Sequence, residues 1–97
     1  MNEQLFRQLA LEQGYGEFQS KAYVPNNDGP LHTHPFSVML LVTEGHFSLA
    51  FEDGTTNYRP GEVCELAAAV MHTERAGPDG ASVLLAKRMA SPSLAAS

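Results

Sequence analysis

Tryptophan is absent from the 97 residues, cysteine occurs once, and only six residues are lysine or arginine. Cys64 has no partner in the chain, so an internal disulfide is excluded. The basic residues Arg7, Lys21, Arg59, Arg75, Lys87 and Arg88 are scattered, and only the last two are adjacent. A phosphate backbone is held by clustered Lys and Arg. With eleven acidic residues and a net charge of −5, nucleic acid is not an expected partner. No apolar run approaches the ~20 residues of a transmembrane helix. Met1-Asn2-Glu3-Gln4 also lacks the basic and apolar stretches of a secretory signal. The expectation is a cytoplasmic protein with no membrane partner.

What is present is ordinary globular composition, 43% hydrophobic and 18% charged, far from that of a disordered chain. The length allows one domain with one core and a thin stability margin. Three stretches follow from the punctuation: a helical head over 1–16, a β-rich body over 17–88, and an Ala/Ser/Pro-rich flexible tail over 89–97. In the head, Leu5, Phe6, Leu9 and Ala10 form an apolar stripe, Asn2 can cap the helix and Gly14 can end it. A helix this short needs a surface to dock on, either its own domain or a second subunit.

In the body, Phe18, Ser20, Ala22 and Val24 alternate with polar residues, as in a half-buried strand. Ser37 to Thr43 is nearly continuous apolar, as in a strand covered on both faces, and Phe47, Leu49 and Phe51 share one face of the next. Glu44-Gly45, Asp53-Gly54, Pro60-Gly61 and Gly77-Pro78-Asp79-Gly80 read as turns. About seven short strands behind one helix predict an all-β barrel or sandwich.

His32 and His34 stand two apart, which on an extended segment puts both rings on one face, roughly 6.5–7 Å apart along the chain. From there imidazole nitrogens can converge on one metal at about 2.0–2.1 Å. A lone His-x-His pair also fits a solvent-exposed loop. The frame adds information. Gly29-Pro30-Leu31-His32-Thr33-His34 followed by Gly45 resembles the first cupin motif, in which a glycine and a His-x-His pair precede a glutamate and a second glycine. Gly61 through Ala67-Ala68-Ala69 to His72 resembles the second motif, and the likeness spans Phe18 to Arg88. There are departures. Asn26 stands where the leading glycine is usual, Val38 takes the place of the glutamate, Ala67-Ala68-Ala69 replaces Pro-x-Gly, and Ala76 replaces the closing asparagine.

The resemblance implies a double-stranded jelly-roll barrel with a short N-terminal helix. It also implies His32, His34 and His72 as ligands of a divalent transition metal without the usual carboxylate, similar to the three-histidine site of some cupin dioxygenases. Three neutral imidazoles suit zinc, iron, nickel or copper better than magnesium or manganese. If His72 points into the barrel, strand alternation turns Glu74 the same way. Glu74 is then a fourth ligand, a catalytic base, or a carboxylate that orients a histidine; a bulge would instead leave it at the rim in solvent. His46 falls opposite the apolar face and is read as a surface histidine. Cys64 is read as a small buried hydrophobe, Met39 and Met71 as core filler (with the mouth of a cavity as the alternative for Met71, beside His72), and Tyr23, Phe36 and Tyr58 as ordinary sheet residues.

Three functions fit these residues. One is a metal-dependent oxygenase, isomerase or lyase acting on a small oxygen-rich metabolite. Another is a small-molecule-binding or sensor domain, with or without metal. The third is a metal-free barrel used for protein contact. The resemblance implies a homodimer, with the helix at 3–13 and the strand near Phe18–Val24 as contact elements.

Overall fold

Two glycine-bearing breaks in the apolar pattern decide the architecture, and they act as bends within strands. In the computed structural model, which describes residues 1–89, a helix α1 (Glu3–Glu12) precedes five strands: β1 (Gly16–Tyr23), β2 (Phe36–Phe51), β3 (Gly54–Tyr58), β4 (Val63–Leu66) and β5 (Thr73–Met89). The seven expected strands are therefore five, because Glu44-Gly45 lies inside β2 and Gly77-Pro78-Asp79-Gly80 inside β5. These two long strands pair antiparallel from Phe36↔Met89 to Ala50↔Thr73, with register shifts on either side of Gly45. Gly45 and Gly80 both have φ of +76°. A Cβ at Gly45 would overlap the Gly80 carbonyl oxygen, so the strands touch backbone to backbone at their common corner.

Around that bent pair, β1 lies beside the second half of β5, β4 beside the first half of β2, and β3 beside the second half of β2. The sheet order is β1-β5-β2-β3, with β4 on β2. Folding over at the corner brings Val38, Leu40 and Val42 of one half against Phe47 and Leu49 of the other. Cys64, Leu66, Val83 and Leu85 complete this barrel interior. The all-β barrel with a short leading helix is the fold expected.

The alternate residues of β2, Met39 and Leu41, face outward and are covered by α1 through Phe6 and Ala10, with Tyr15, Leu84 and Ala86. This is why the stretch from Ser37 reads as apolar on both faces. Asn2 caps the helix by accepting the Leu5 N–H at 2.8 Å, and Gly14, at φ +85°, follows its end. The stripe thus docks on its own domain, although Leu5 stays exposed.

In β1 the phase differs from expectation. A bulge between Gly16 and Gln19, with Glu17 at φ +54°, turns Phe18 outward toward Phe6. Gln19, Lys21 and Tyr23 face the interior, while Ser20, Ala22 and Val24 are exposed. Of the tail expected over 89–97, Met89 closes β5 opposite Phe36; residues 90–97 lie outside those described. Among the described residues no helix is long and apolar enough to cross a membrane.

Candidate metal centre

The segment between β1 and β2 has no long strand of its own, yet its backbone is pinned along the start of β5. Gly29 N–H donates to Glu74 O at 3.0 Å, Ala76 N–H to Asn27 O at 3.0 Å, and His32 and His72 exchange both backbone bonds at 2.9 Å. A Cβ on Gly29 would stand 3.2 Å from the Glu74 carbonyl, so glycine permits this approach. His34 O accepts from Ala69 N–H at 2.8 Å. His32, His34, His72 and Glu74 are thereby brought together, each offering one ligand atom within 4.8 Å of the others. His72 is fully buried, and the Glu74 side chain is only 13% exposed. Of the alternatives for Glu74, the solvent rim is not where it lies.

The ring nitrogens divide into two sets. His32 Nδ1 lies 2.7 Å from Pro30 O and His72 Nδ1 2.9 Å from Val70 O. A carbonyl only accepts, so both Nδ1 atoms carry the proton, and in the neutral ring each Nε2 presents a lone pair. Those lone pairs point at one place: Glu74 Oε2 lies 2.9 Å from His32 Nε2, 3.1 Å from His72 Nε2 and 3.5 Å from His34 Nε2. His32 Nε2 and His34 Nε2 are 3.2 Å apart. His32 Nε2, His72 Nε2 and Glu74 Oε2 are three acceptors that face each other, with the ring donors of His32 and His72 used elsewhere, and only a proton or a metal cation between them makes this favourable. For tetrahedral bonds near 2.1 Å the ligand–ligand edge is about 3.4 Å, close to the separations seen. His34 stacks on Phe36, centroids 5.0 Å apart, which fixes its ring.

The other Glu74 oxygen, Oε1, accepts from Tyr23 Oη at 2.5 Å and lies 3.9 Å from Lys21 Nζ. Burial opposes the charge on Glu74, but the hydrogen bond from Tyr23, a proton bridging the carboxylate to His72 or His32, and the charge of Lys21 outweigh it, holding the carboxyl down to about 2. Burial first, then the Glu74 carboxylate, raises the Tyr23 phenol far above its ordinary value. Burial, aided by the neighbouring His32 and His72, lowers His34.

Beside the cluster a cavity of about 120 Å³ has an apolar side formed by Phe36, Val38, Leu40, Leu49, Leu66 and Leu85 and a polar side that includes Tyr23, His34 and Glu74. Val38, where the motif glutamate would stand, lines the same cavity as an apolar residue. His46 is exposed and Cys64 buried, as expected; burial pushes the Cys64 thiol up to about 12, so it is no thiolate. Met39 fills the core under α1, but Met71 is 49% exposed and lines a surface groove with Phe51 and Val70 instead of filling the core. Sequence reasoning passed over Tyr23, Lys21 and Lys87 as site residues; for Tyr23 and Lys21 the alternation of β1 was the available signal, taken in the opposite phase, and for Lys87 it was the alternation of β5 from Val83 and Leu85.

This geometry can be set beside known proteins. The profile of the AraC-like ligand-binding domain matches residues 14–90, most of the chain. The chain belongs to the AraC-like ligand-binding domain family. No curated protein matches this AraC-like domain in sequence. Among solved structures, an RmlC-like cupin from Shewanella frigidimarina superposes with a TM-score of 0.65 at 18% identity, covering 79% of this chain and 68% of the other. A protein of unknown function from Rhizobium leguminosarum gives a TM-score of 0.67 at 18% identity, over 93% of this chain and 98% of its own. Oxalate decarboxylase from Lactobacillus farciminis gives 0.64 at 17% identity, over 74% of this chain but 23% of that enzyme. At such identities the likeness is one of fold, and it makes the AraC-like domain a small cupin.

Proposed function

We propose that this AraC-like domain is a metal-binding cupin acting as an oxygenase, isomerase or lyase on a small oxygen-rich metabolite. The observation that carries the reading is the convergence of three Nε2 atoms on Glu74 Oε2 within 2.9–3.5 Å, with the Nδ1 protons of His32 and His72 spent on backbone carbonyls so that their Nε2 lone pairs are free. His32, His34 and His72 would hold a divalent transition metal such as zinc, iron, nickel or copper, and Glu74 would supply the balancing charge. The bound ion would contribute Lewis acidity or oxygen chemistry to a chelated substrate. The carboxylate that the cupin motif places on β2, at Val38 here, is on this reading carried by β5 instead.

The chain's own residues orient and enclose. Pro30 O and Val70 O fix the tautomers of His32 and His72, and Phe36 fixes the ring of His34. Tyr23 holds Glu74 by its free oxygen, so both carboxylate oxygens are engaged and Glu74 acts as a holding group more than as a base. The leucine-walled cavity keeps water from one side of the site. The oxalate decarboxylase likeness supports small oxygen-rich substrates for this fold. The family's name favours a second reading, a non-catalytic small-molecule-binding or sensor domain, with or without metal. Homodimeric assembly and a cytoplasmic setting belong to this proposal as expectations of the cupin resemblance.

Elemental mass spectrometry on untagged protein, purified without nickel resin or chelator, tests the reading. Near-stoichiometric transition metal in the wild type and its loss in His72→Ala, with the far-ultraviolet circular dichroism retained, is the expected result. No metal, and none taken up on titration, would overturn the metal centre and leave the metal-free binding or sensor reading.

A further inference from the structure

The chain carries a net charge of −5 with only six basic residues, yet two of those six, Lys21 and Lys87, stand on the wall of one apolar cavity. Lys21 is accounted for: its Nζ lies 3.9 Å from Glu74 Oε1 and 4.8 Å over the Tyr23 ring. Lys87 is not. Strand alternation from Val83 and Leu85, both in the barrel interior, turns it inward. There it is half-buried with its Nζ 4.7 Å over the Phe36 ring. Among the described residues no carboxylate pairs with it; the ion pairs of the chain use Arg7, Lys21, Arg75, Arg88 and the histidines. An ammonium beside an apolar wall with no carboxylate paired to it is open to one, and an anion entering the cavity supplies it.

We propose that the cavity binds a small monocarboxylate with a short branched apolar body. Its carboxylate is held by the Lys87 ammonium, and its body packs on Leu40, Leu49, Leu66 and Leu85. The proposal rests on the reading above in taking the cavity as the chamber that opens on His34 and Glu74, and it narrows the oxygen-rich metabolite of that reading to one whose oxygens are gathered in a carboxylate at one end. The apolar side of the lining suits a short hydrocarbon body, and Lys87, the one lining cation not paired with Glu74, selects one negative charge.

The test uses 3-methylbutanoate and its neutral isostere 3-methylbutanamide, titrated calorimetrically into metal-loaded and chelator-stripped full-length protein, with metal content measured on every sample. The acid should bind about tenfold or more tightly than the amide in both forms. Lys87→Met should cost the acid about that factor and leave the amide unchanged, while Lys87→Arg keeps the preference. A preference seen in the loaded protein and lost in the stripped one would assign the carboxylate to the metal and overturn the role of Lys87. Equal affinity for acid and amide, or no binding of the acid at millimolar concentration, overturns the proposal outright. These comparisons on wild-type protein decide the matter even if Lys87→Met does not fold. Protein that carries no metal yet keeps the acid preference would sink the metal centre alone.

Discussion

Tyr23 shows how a site residue hides at the scale of single side chains. Next to Lys21 and Gln19 in sequence it marks the polar face of a strand, and polar faces normally look to solvent. Here that face looks into the barrel, where Tyr23 Oη donates to Glu74 Oε1. The histidines were legible because their spacing and frame carry a pattern; Tyr23, Lys21 and Lys87 carry none, since a ligand chamber lined with polar groups has the same alternation as a wet surface. A hydrogen bond to a ligating carboxylate orients it and raises its hold on the ion, and losing such a bond typically costs ten- to a hundredfold in metal affinity, that is, about 10–100-fold. Tyr23→Phe should therefore weaken metal binding by about tenfold while leaving the barrel folded, because the ring still packs on Phe47 at 5.2 Å between centroids. Competition against a chromophoric chelator would measure it. An unchanged affinity would show that Glu74 needs no outside support.

Among the elements, the long strands β2 and β5 were each read as two. Glycine in a strand pattern signals left-handed backbone or close approach, and both hairpins and bulged corners need that. Composition does not tell whether the chain then reverses or merely bends. Asp53-Gly54 does reverse it, joining β2 to β3 in register Phe51↔Gly54. Gly45 bends it, and there the demand is doubled, by φ of +76° and by the Gly80 carbonyl occupying the place of a Cβ. A residue forced into that conformation costs about 1–3 kcal/mol before any clash is counted. Gly45→Ala should therefore lower stability by about 3 kcal/mol or more, measured by urea unfolding. Gly16→Ala, where a Cβ meets nothing within 4 Å, should shift it by no more than about 0.5 kcal/mol. Equal effects of the two would mean that the corner is not built on backbone contact. The helix was the easier element to read, since its cap, stripe and end are all local.

For the whole molecule, 97 residues sustain two apolar layers that share β2 and β5, the barrel interior and the face under α1. With only about 5–15 kcal/mol separating native and unfolded chains of this kind, the ionisation of buried weak acids matters. Burial keeps Cys64, Tyr23, Tyr58 and Tyr15 protonated beyond their ordinary ranges. The Cys64 thiol ionises near 9.0 in an exposed chain and at about 12 when folded. The native state therefore holds a proton that the unfolded state releases, and this contribution to stability is complete below pH 9 and lost as pH rises toward 12. One such group changes stability by up to about 1.4 kcal/mol per pH unit. Between pH 8.5 and 10, where the tyrosines of the unfolded chain also begin to titrate, the wild type should lose about 1 kcal/mol more than Cys64→Ala. Urea unfolding at half-unit steps of pH reads the difference directly. Parallel curves for the two proteins would mean that the thiol is not held neutral by the barrel interior, and that the alkaline limit belongs to the tyrosines alone.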